Sequence, residues 1–194
     1  MFKRTKGYFL LTMLVLTGLA GRMHSNILTT KERHALVVEL KTSRNDFLKS
    51  VEGLSAKQIN FKPSRNALSI KACVYRIVSI EDNLWTLTQA ALKQDNASSQ
   101  RTNSDESLVS LAAKDFSCHN IEFKNVEQAL KFYKNKRTEM LKYVHTSTED
   151  VRGHIAQTDH GNLDAYQLIL LNALYCKNYM EKIQEIKEHP KFPK

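Results

Sequence analysis

Hydrophobic residues recur at alternating spacings of three and four along four long segments of the chain, the spacing of an amphipathic α-helix. In the first segment the apolar stripe begins at Val37, and Gly53 is a typical helix stop. Thr29 and Glu32 stand ahead of the stripe at the spacing of a capping box, in which each side chain accepts a hydrogen bond from the other residue's backbone N–H. The pattern predicts a first helix that ends at about Glu52.

Three further stripes predict three further helices. The second begins after Ser69, a residue type that caps helices, and its stripe continues to Ala91. The third covers about residues 126–144 with Asn125 as its N-cap, and the fourth covers about residues 164–187. A helix of about 20 residues is roughly 30 Å long, so all four can line one common core.

A long polar stretch, residues 94–124, separates the second and third helices. Within it Ser104 is a candidate cap for a short helix that ends at Ala113. A connection of this length can return along the whole bundle, so helices two and three can lie parallel, whereas short connections force antiparallel neighbours. Six glycines and three prolines are too few for the turns of a β-sandwich or barrel. We therefore predict an all-α four-helix bundle with a long crossover between helices 2 and 3.

The N-terminus has the pattern of a secretory signal peptide. An uncharged, largely apolar run, residues 7–21, ends in small residues and falls short of the roughly 20 apolar residues that span a bilayer. We expect residues 1–21 to be a signal peptide and residues 28–194 to form the exported domain, in the periplasm or outside the cell. An uncleaved anchor is the alternative; after cleavage no stable membrane anchor is expected. Three basic residues precede the run: Lys3, Arg4 and Lys6.

Charge narrows the classes of partner. The chain has 29 Lys plus Arg against 20 Asp plus Glu, a formal net charge of +9. Loss of the three basic residues of the signal peptide leaves about +6, which permits an acidic partner without naming one. The remaining lysines alternate with acids, as in Lys182 and Glu185, which is typical of a solvated helix face. We therefore expect no nucleic-acid binding.

Three cysteines, Cys73, Cys118 and Cys176, are an odd number for an exported chain, so at least one thiol is unpaired within the molecule. Cys73 and Cys176 lie in apolar helical patterns. We expect small buried hydrophobes there, and a disulfide between two of the three is the alternative.

Several stretches of the chain match the sequence pattern of one known family. They include Val51-Glu52-Gly53-Leu54-Ser55, Phe61-Lys62-Pro63, Ile80-Glu81-Asp82-Asn83-Leu84-Trp85 and Asp164-Ala165-Tyr166-Gln167. On these stretches the chain resembles the DinB-like superfamily, in its branch of exported bacterial members. The resemblance covers nearly the whole mature chain and implies the fold that the helical patterns predict. It also implies a divalent metal such as zinc or nickel, an activity in hydrolysis or thiol transfer, and a homodimer.

Many members of the family bind the metal through three histidines, one seven residues after the serine of helix two and a pair at i and i+4 on helix four. In this chain those positions hold Arg76, Tyr175 and Tyr179. A guanidinium offers only donors and carries a positive charge, and neutral phenols are poor ligands. We therefore expect no metal cofactor and no catalytic residue. The alternative is a site rebuilt from His154, His160 and Asp159.

The altered positions suggest a function. We expect a non-catalytic binding or interaction protein in which Arg76 supplies charge and donors to a small anion, and Tyr175 and Tyr179 orient it. The structural alternative is that the tyrosines fill core volume and the arginine reaches water. The alternative function is a divalent-metal-dependent hydrolase or thiol (S-)transferase whose ligands the sequence does not reveal.

One further charged residue interrupts the apolar stripe of the first helix. Arg44 needs a partner or a path to solvent, because a lone buried charge is costly. We expect it to form a supporting ion pair with Glu81 on the second helix. The alternative places Arg44 at the solvated edge of the stripe.

Overall fold

The computed structural model describes residues 27–94, 100–119 and 121–194, so the predicted signal peptide lies outside the described residues. Four long helices form the body of the domain. They are α1 (Thr30–Val51), α3 (Ile70–Leu92), α5 (Val126–Thr146) and α6 (Ala165–Lys187). Two short helices, α2 (Ala56–Asn60) and α4 (Leu108–Ala112), and a 3-10 turn (Asp105–Ser107) lie in the connections. None of the described helices is both long and apolar enough to cross a membrane.

The helix starts follow the predicted capping chemistry. Thr29 and Glu32 form the reciprocal capping box at the start of α1, and Gly53 beyond its end has a positive φ of 70°. The Ser69 side chain accepts a hydrogen bond from a backbone N–H in the first turn of α3, and Asn125 does the same for α5. Local side chains therefore fix where the long helices begin.

The four long helices form a bundle in which α1 and α3 each pack against both α5 and α6. Glu81 on α3 contacts Arg137 on α5, and further along the same helices Trp85 contacts Tyr143, so α3 and α5 run parallel. The crossover between them returns along the bundle, as predicted. The all-α four-helix bundle with a long crossover is confirmed.

The connection from α5 to α6 contains a β-hairpin, which the all-α prediction did not include. Strand β1 (Ile155–Thr158) pairs antiparallel with β2 (Gly161–Asp164). Ala156 and Leu163 are buried against the bundle, while Gly161 turns the chain at a positive φ of 99°. Two four-residue strands with so few apolar positions are too short for an alternating pattern to be read from sequence.

The described part of the crossover lies against α6 and the hairpin. The Thr102 backbone N–H donates to the Asn162 carbonyl oxygen at 3.0 Å, which ties the crossover to β2. Leu108 of α4 and Phe116 beyond it are buried in the core. The short helix exists where it was predicted, but Ser104 makes no capping hydrogen bond and the first turn is 3-10. The crossover is therefore a packed layer, and it covers the candidate site described next.

Candidate functional site

The structure brings together the three residues that the resemblance aligned with metal-ligand positions. Tyr175 and Tyr179 lie one turn apart on α6, and both are buried. Arg76 on α3, which runs antiparallel to α6, lies close enough to Tyr179 for its guanidinium to interact with the Tyr179 hydroxyl. Tyr175 is near enough for the charge of Arg76 to act on its hydroxyl. We refer to Arg76, Tyr175 and Tyr179 as the arginine–tyrosine cluster.

The crossover lies over this cluster, and side chains of the cluster make polar contacts with the backbone of the crossover. Arg76 Nη2 donates to the Phe116 carbonyl oxygen at 2.8 Å, and Arg76 Nη1 contacts Cys118 Sγ at 3.3 Å. The Tyr175 hydroxyl donates to the Leu111 carbonyl oxygen at 3.2 Å. The Phe116 ring also meets the Tyr175 ring nearly edge-on, with centroids 5.8 Å apart. The cluster therefore holds the crossover in place as well as lying beneath it.

One edge of the cluster reaches solvent. Asp115 Oδ1 lies 3.8 Å from Arg76 Nη2, and the Asp115 side chain is 88% exposed while that of Arg76 is 25% exposed. An ion pair with so exposed a carboxylate contributes little stability. At this edge the guanidinium is thus partly accessible and already faces a carboxylate that is itself exposed to solvent.

The protonation states leave the cluster with a positive charge. Burial raises the pKa of the Tyr175 and Tyr179 hydroxyls above the ordinary tyrosine value, and Arg76 offsets only part of that rise. Burial also raises the pKa of the Cys118 thiol. Partial burial alone would lower the pKa of Arg76, but the nearby Tyr179 hydroxyl and Asp115 carboxylate raise it. At neutral pH one cation therefore faces neutral phenols and a neutral thiol.

These residues do not fit a divalent metal. A protonated guanidinium repels a cation, and the phenols would have to ionise although burial has raised their pKa values. Within the described ranges, no group of three or more His, Cys, Asp or Glu side chains could hold a metal ion. The rebuilt site is not formed there either: His154 Nδ1 contacts the Ala91 carbonyl oxygen, and His160 Nε2 contacts that of Asp115.

The predicted ion pair between Arg44 and Glu81 is wrong. The Arg44 guanidinium is partly exposed and donates to Asn45 Oδ1 at 3.2 Å, which matches the alternative of a solvated edge. Glu81 instead pairs with Arg137 on α5 in the centre of the bundle. Arg44 has its own path to water, so it does not need a buried carboxylate.

Arg137, which the sequence patterns did not single out, is the largest fully buried side chain of the described chain. Its guanidinium makes five hydrogen bonds, which matches its five N–H donors. Two go to the Glu81 carboxylate, two to Leu40 and Ser43 on α1, and one to the Asn172 carbonyl oxygen on α6. The buried charge is therefore fully satisfied inside the bundle.

The sequence does contain a signal for this residue. Arg137 lies four residues after Tyr133 and three before Met140, which places it on the apolar stripe of α5. A charge within an apolar stripe also distinguishes Arg44 on α1. The same criterion, applied to α5, could have found Arg137, although it could not have named Glu81 as its partner.

All three cysteines are free in the structure. Cys73 and Cys176 are buried, as expected, and burial raises the pKa of each thiol to about 11. A protonated thiol is a poor nucleophile. Neither residue therefore adds a reactive group to the arginine–tyrosine cluster.

Comparison with known proteins supports the fold. The structure of YfiT from Bacillus subtilis, described as a probable metal-dependent hydrolase with an unusual four-helix bundle topology, matches with a TM-score of 0.64. The match covers 89% of this chain and 94% of that chain, at 8% sequence identity. This chain has a DinB-like four-helix-bundle fold. At so low an identity the likeness concerns the fold and not the activity.

The sequence comparisons add no family assignment. No protein-family model matches the chain, and no curated protein sequence matches it either.

Proposed function

We propose that this protein is an exported, non-catalytic binding protein that takes up a small anion, best a carboxylate, at the arginine–tyrosine cluster. The observation that carries the proposal is the 3.8 Å approach of Asp115 Oδ1 to Arg76 Nη2 at the solvent-facing edge. A carboxylate from solution would meet the same guanidinium with the same charge complementarity. Asp115 is then an internal competitor for that position.

The donor count leaves room for such a ligand. A guanidinium has five N–H donors. The contacts of Arg76 with Phe116 and Cys118 engage two of them. The other donors are available to an anion that displaces the exposed Asp115 side chain, and the crossover can stay closed.

Isothermal titration with acetate, succinate and inorganic phosphate at constant ionic strength tests the proposal. We expect Arg76→Ala to abolish binding and Asp115→Asn to tighten it about five-fold, the equivalent of removing one weak exposed ion pair. Arg44→Ala is the matched control, because it removes the same charge from a partly exposed site on another helix. Equal binding by wild type and Arg76→Ala, or no binding by either wild type or Asp115→Asn, would overturn the proposal.

The exported location rests on the basic and then apolar pattern of residues 1–21. We expect the protein isolated from its own cells to begin near residue 22. Intact-mass measurement checks this, and a chain that retains residues 1–21 would instead support the uncleaved anchor.

A divalent-metal-dependent hydrolase or thiol (S-)transferase is the second candidate, and the description of YfiT as a probable metal-dependent hydrolase favours it. The side chains of Arg76, Tyr175 and Tyr179 argue against this candidate, because none of them is a good metal ligand in its protonation state at neutral pH. Metal that co-purifies in stoichiometric amount would favour this candidate over the binding protein.

A further inference from the structure

The positive charge of the domain is concentrated at one end of the bundle. Residues 49–65 and 187–194 carry seven basic and two acidic side chains, a net charge of +5. The whole chain without its signal peptide carries about +6, so the rest of the domain is nearly neutral. A charge distribution this uneven points to an oriented encounter with an acidic partner.

The two segments lie side by side. Lys187 Nζ donates to the Ser50 carbonyl oxygen at 3.0 Å, and Gln58 Nε2 donates to that of Pro193 at 3.2 Å. The Phe61 ring meets the Phe192 ring edge-on, with centroids 5.6 Å apart. The end of α1, the helix α2 and the C-terminal segment therefore form one continuous surface, which we name the basic end.

Six side chains of the basic end are exposed and carry uncompensated charge. Across the described residues, no carboxylate lies within 4.0 Å of any of their nitrogen atoms. The six are Lys49, Lys57, Lys62, Arg65, Lys191 and Lys194.

We propose that the basic end is a docking surface for an anionic lipid membrane. Long basic side chains on an open surface can bind a fluid layer of negatively charged headgroups. Each Lys or Arg near such a layer adds a similar increment to the free energy of binding. Leu68, three residues after Arg65 in the chain, is 44% exposed, so an apolar side chain that follows the basic segment is available to enter the headgroup layer. An acidic protein is the other class of partner and is an outcome of the test.

Co-sedimentation of the mature protein with vesicles tests this proposal. Vesicles of equal parts phosphatidylglycerol and phosphatidylcholine should bind the protein, and pure phosphatidylcholine vesicles should not. Binding should fall steeply between 0.1 M and 1 M salt, because the Debye length shrinks from about 10 Å to about 3 Å.

A charge-neutralising variant assigns the binding to this surface. The triple variant Lys62→Gln, Arg65→Gln and Lys191→Gln should lower the partition coefficient on the order of 100-fold, at about five-fold per charge. The control triple variant removes the same charge from exposed positions on α5, by Lys131→Gln, Lys134→Gln and Lys142→Gln. It should change the partition coefficient by less than about three-fold. An equal loss in both, equal binding to both vesicle types, or capture by an acidic protein without vesicle binding would overturn the proposal.

Discussion

Arg137 donates hydrogen bonds from Nε and Nη2 to the two carboxylate oxygens of Glu81, and both side chains are buried between α3 and α5. The same guanidinium reaches the backbone of α1 and of α6, so one side chain joins all four long helices. Burial would lower the pKa of Arg137, but Glu81 raises it, so the guanidinium stays charged. A buried pair of this kind adds little net stability, but the loss of one partner leaves an uncompensated buried charge.

We expect removal of one partner to be costly. Glu81→Ala leaves the Arg137 charge buried and unpaired, which should lower the free energy of unfolding by about 3–5 kcal/mol. The double variant Glu81→Leu with Arg137→Met should recover most of that loss, because packed apolar side chains replace a buried pair at little cost. Urea unfolding measures both.

The neighbouring ion pair is the matched control for that experiment. Lys136 and Asp82 lie next to Arg137 and Glu81 on the same two helices, but their side chains are 26% and 20% exposed. Asp82→Ala should therefore cost less than about 1 kcal/mol. If Asp82→Ala and Glu81→Ala lowered the free energy of unfolding by similar amounts, burial would not explain the cost of losing Glu81.

Asp164 should make stability depend on pH. Burial raises the pKa of this carboxyl to about 6, although the Gln167 backbone N–H and the Arg152 charge oppose the shift. Between pH 4 and 6 the folded state thus binds more protons here than the unfolded state, so the free energy of unfolding should fall as pH rises through that window, by up to about 3 kcal/mol. Above about pH 6 this contribution is constant.

Asp164→Asn isolates the effect, because asparagine caps a helix as well as aspartate does. Urea unfolding across the same pH window should show a flatter profile for this variant than for wild type. Asp159→Asn, in the exposed turn of the hairpin, is the control and should keep the wild-type profile. Parallel profiles for wild type and Asp164→Asn would contradict the assignment.

The crossover should loosen when its polar contacts to the cluster are removed. Arg76→Ala and Tyr175→Phe each remove a hydrogen bond to its backbone, at Phe116 or Leu111, worth about 1 kcal/mol. Amide hydrogen exchange in residues 111–118 should become about five-fold faster in each variant.

A tyrosine on another face of the bundle supplies the control for this exchange experiment. Tyr143→Phe removes a hydroxyl that donates to Glu149, away from the crossover, and should leave the exchange of residues 111–118 unchanged. Unchanged protection in Arg76→Ala and Tyr175→Phe would show that packing alone holds the segment.

Much of the fold could be predicted because its signals are local. Thr29, Ser69 and Asn125 each stand ahead of an apolar stripe, and each caps the helix that follows. Cap and stripe are read within a few residues of one another, so no knowledge of distant contacts is needed. The parallel arrangement of α3 and α5 could be predicted from the length of the polar stretch between them, because a connection of that length can span the whole bundle.

The partners of charged residues could not be predicted in the same way. Arg44 and Arg137 both stand among apolar residues, but Arg44 has an outlet to water while Arg137 lies where four helices meet. Which of them faces Glu81 depends on how α1 and α5 are rotated about their axes, and an apolar stripe fixes that rotation only coarsely.

The contacts between the cluster and the crossover were missed for a related reason. Arg76 meets Phe116 and Cys118 across 40 and 42 residues of sequence. No local pattern specifies where a polar connection of that length folds back onto a helix, because its path is decided by packing in the finished domain.

The metal content of the purified protein tests the central claim most directly. The protein is exposed to zinc or nickel, dialysed, and analysed by elemental mass spectrometry. A variant with Arg76→His, Tyr175→His and Tyr179→His is the positive control. We predict that wild type retains no stoichiometric metal and that the triple variant does, since three imidazoles from facing helices form an open site. Stoichiometric metal in wild type that is lost on Tyr175→Phe with Tyr179→Phe would contradict the account.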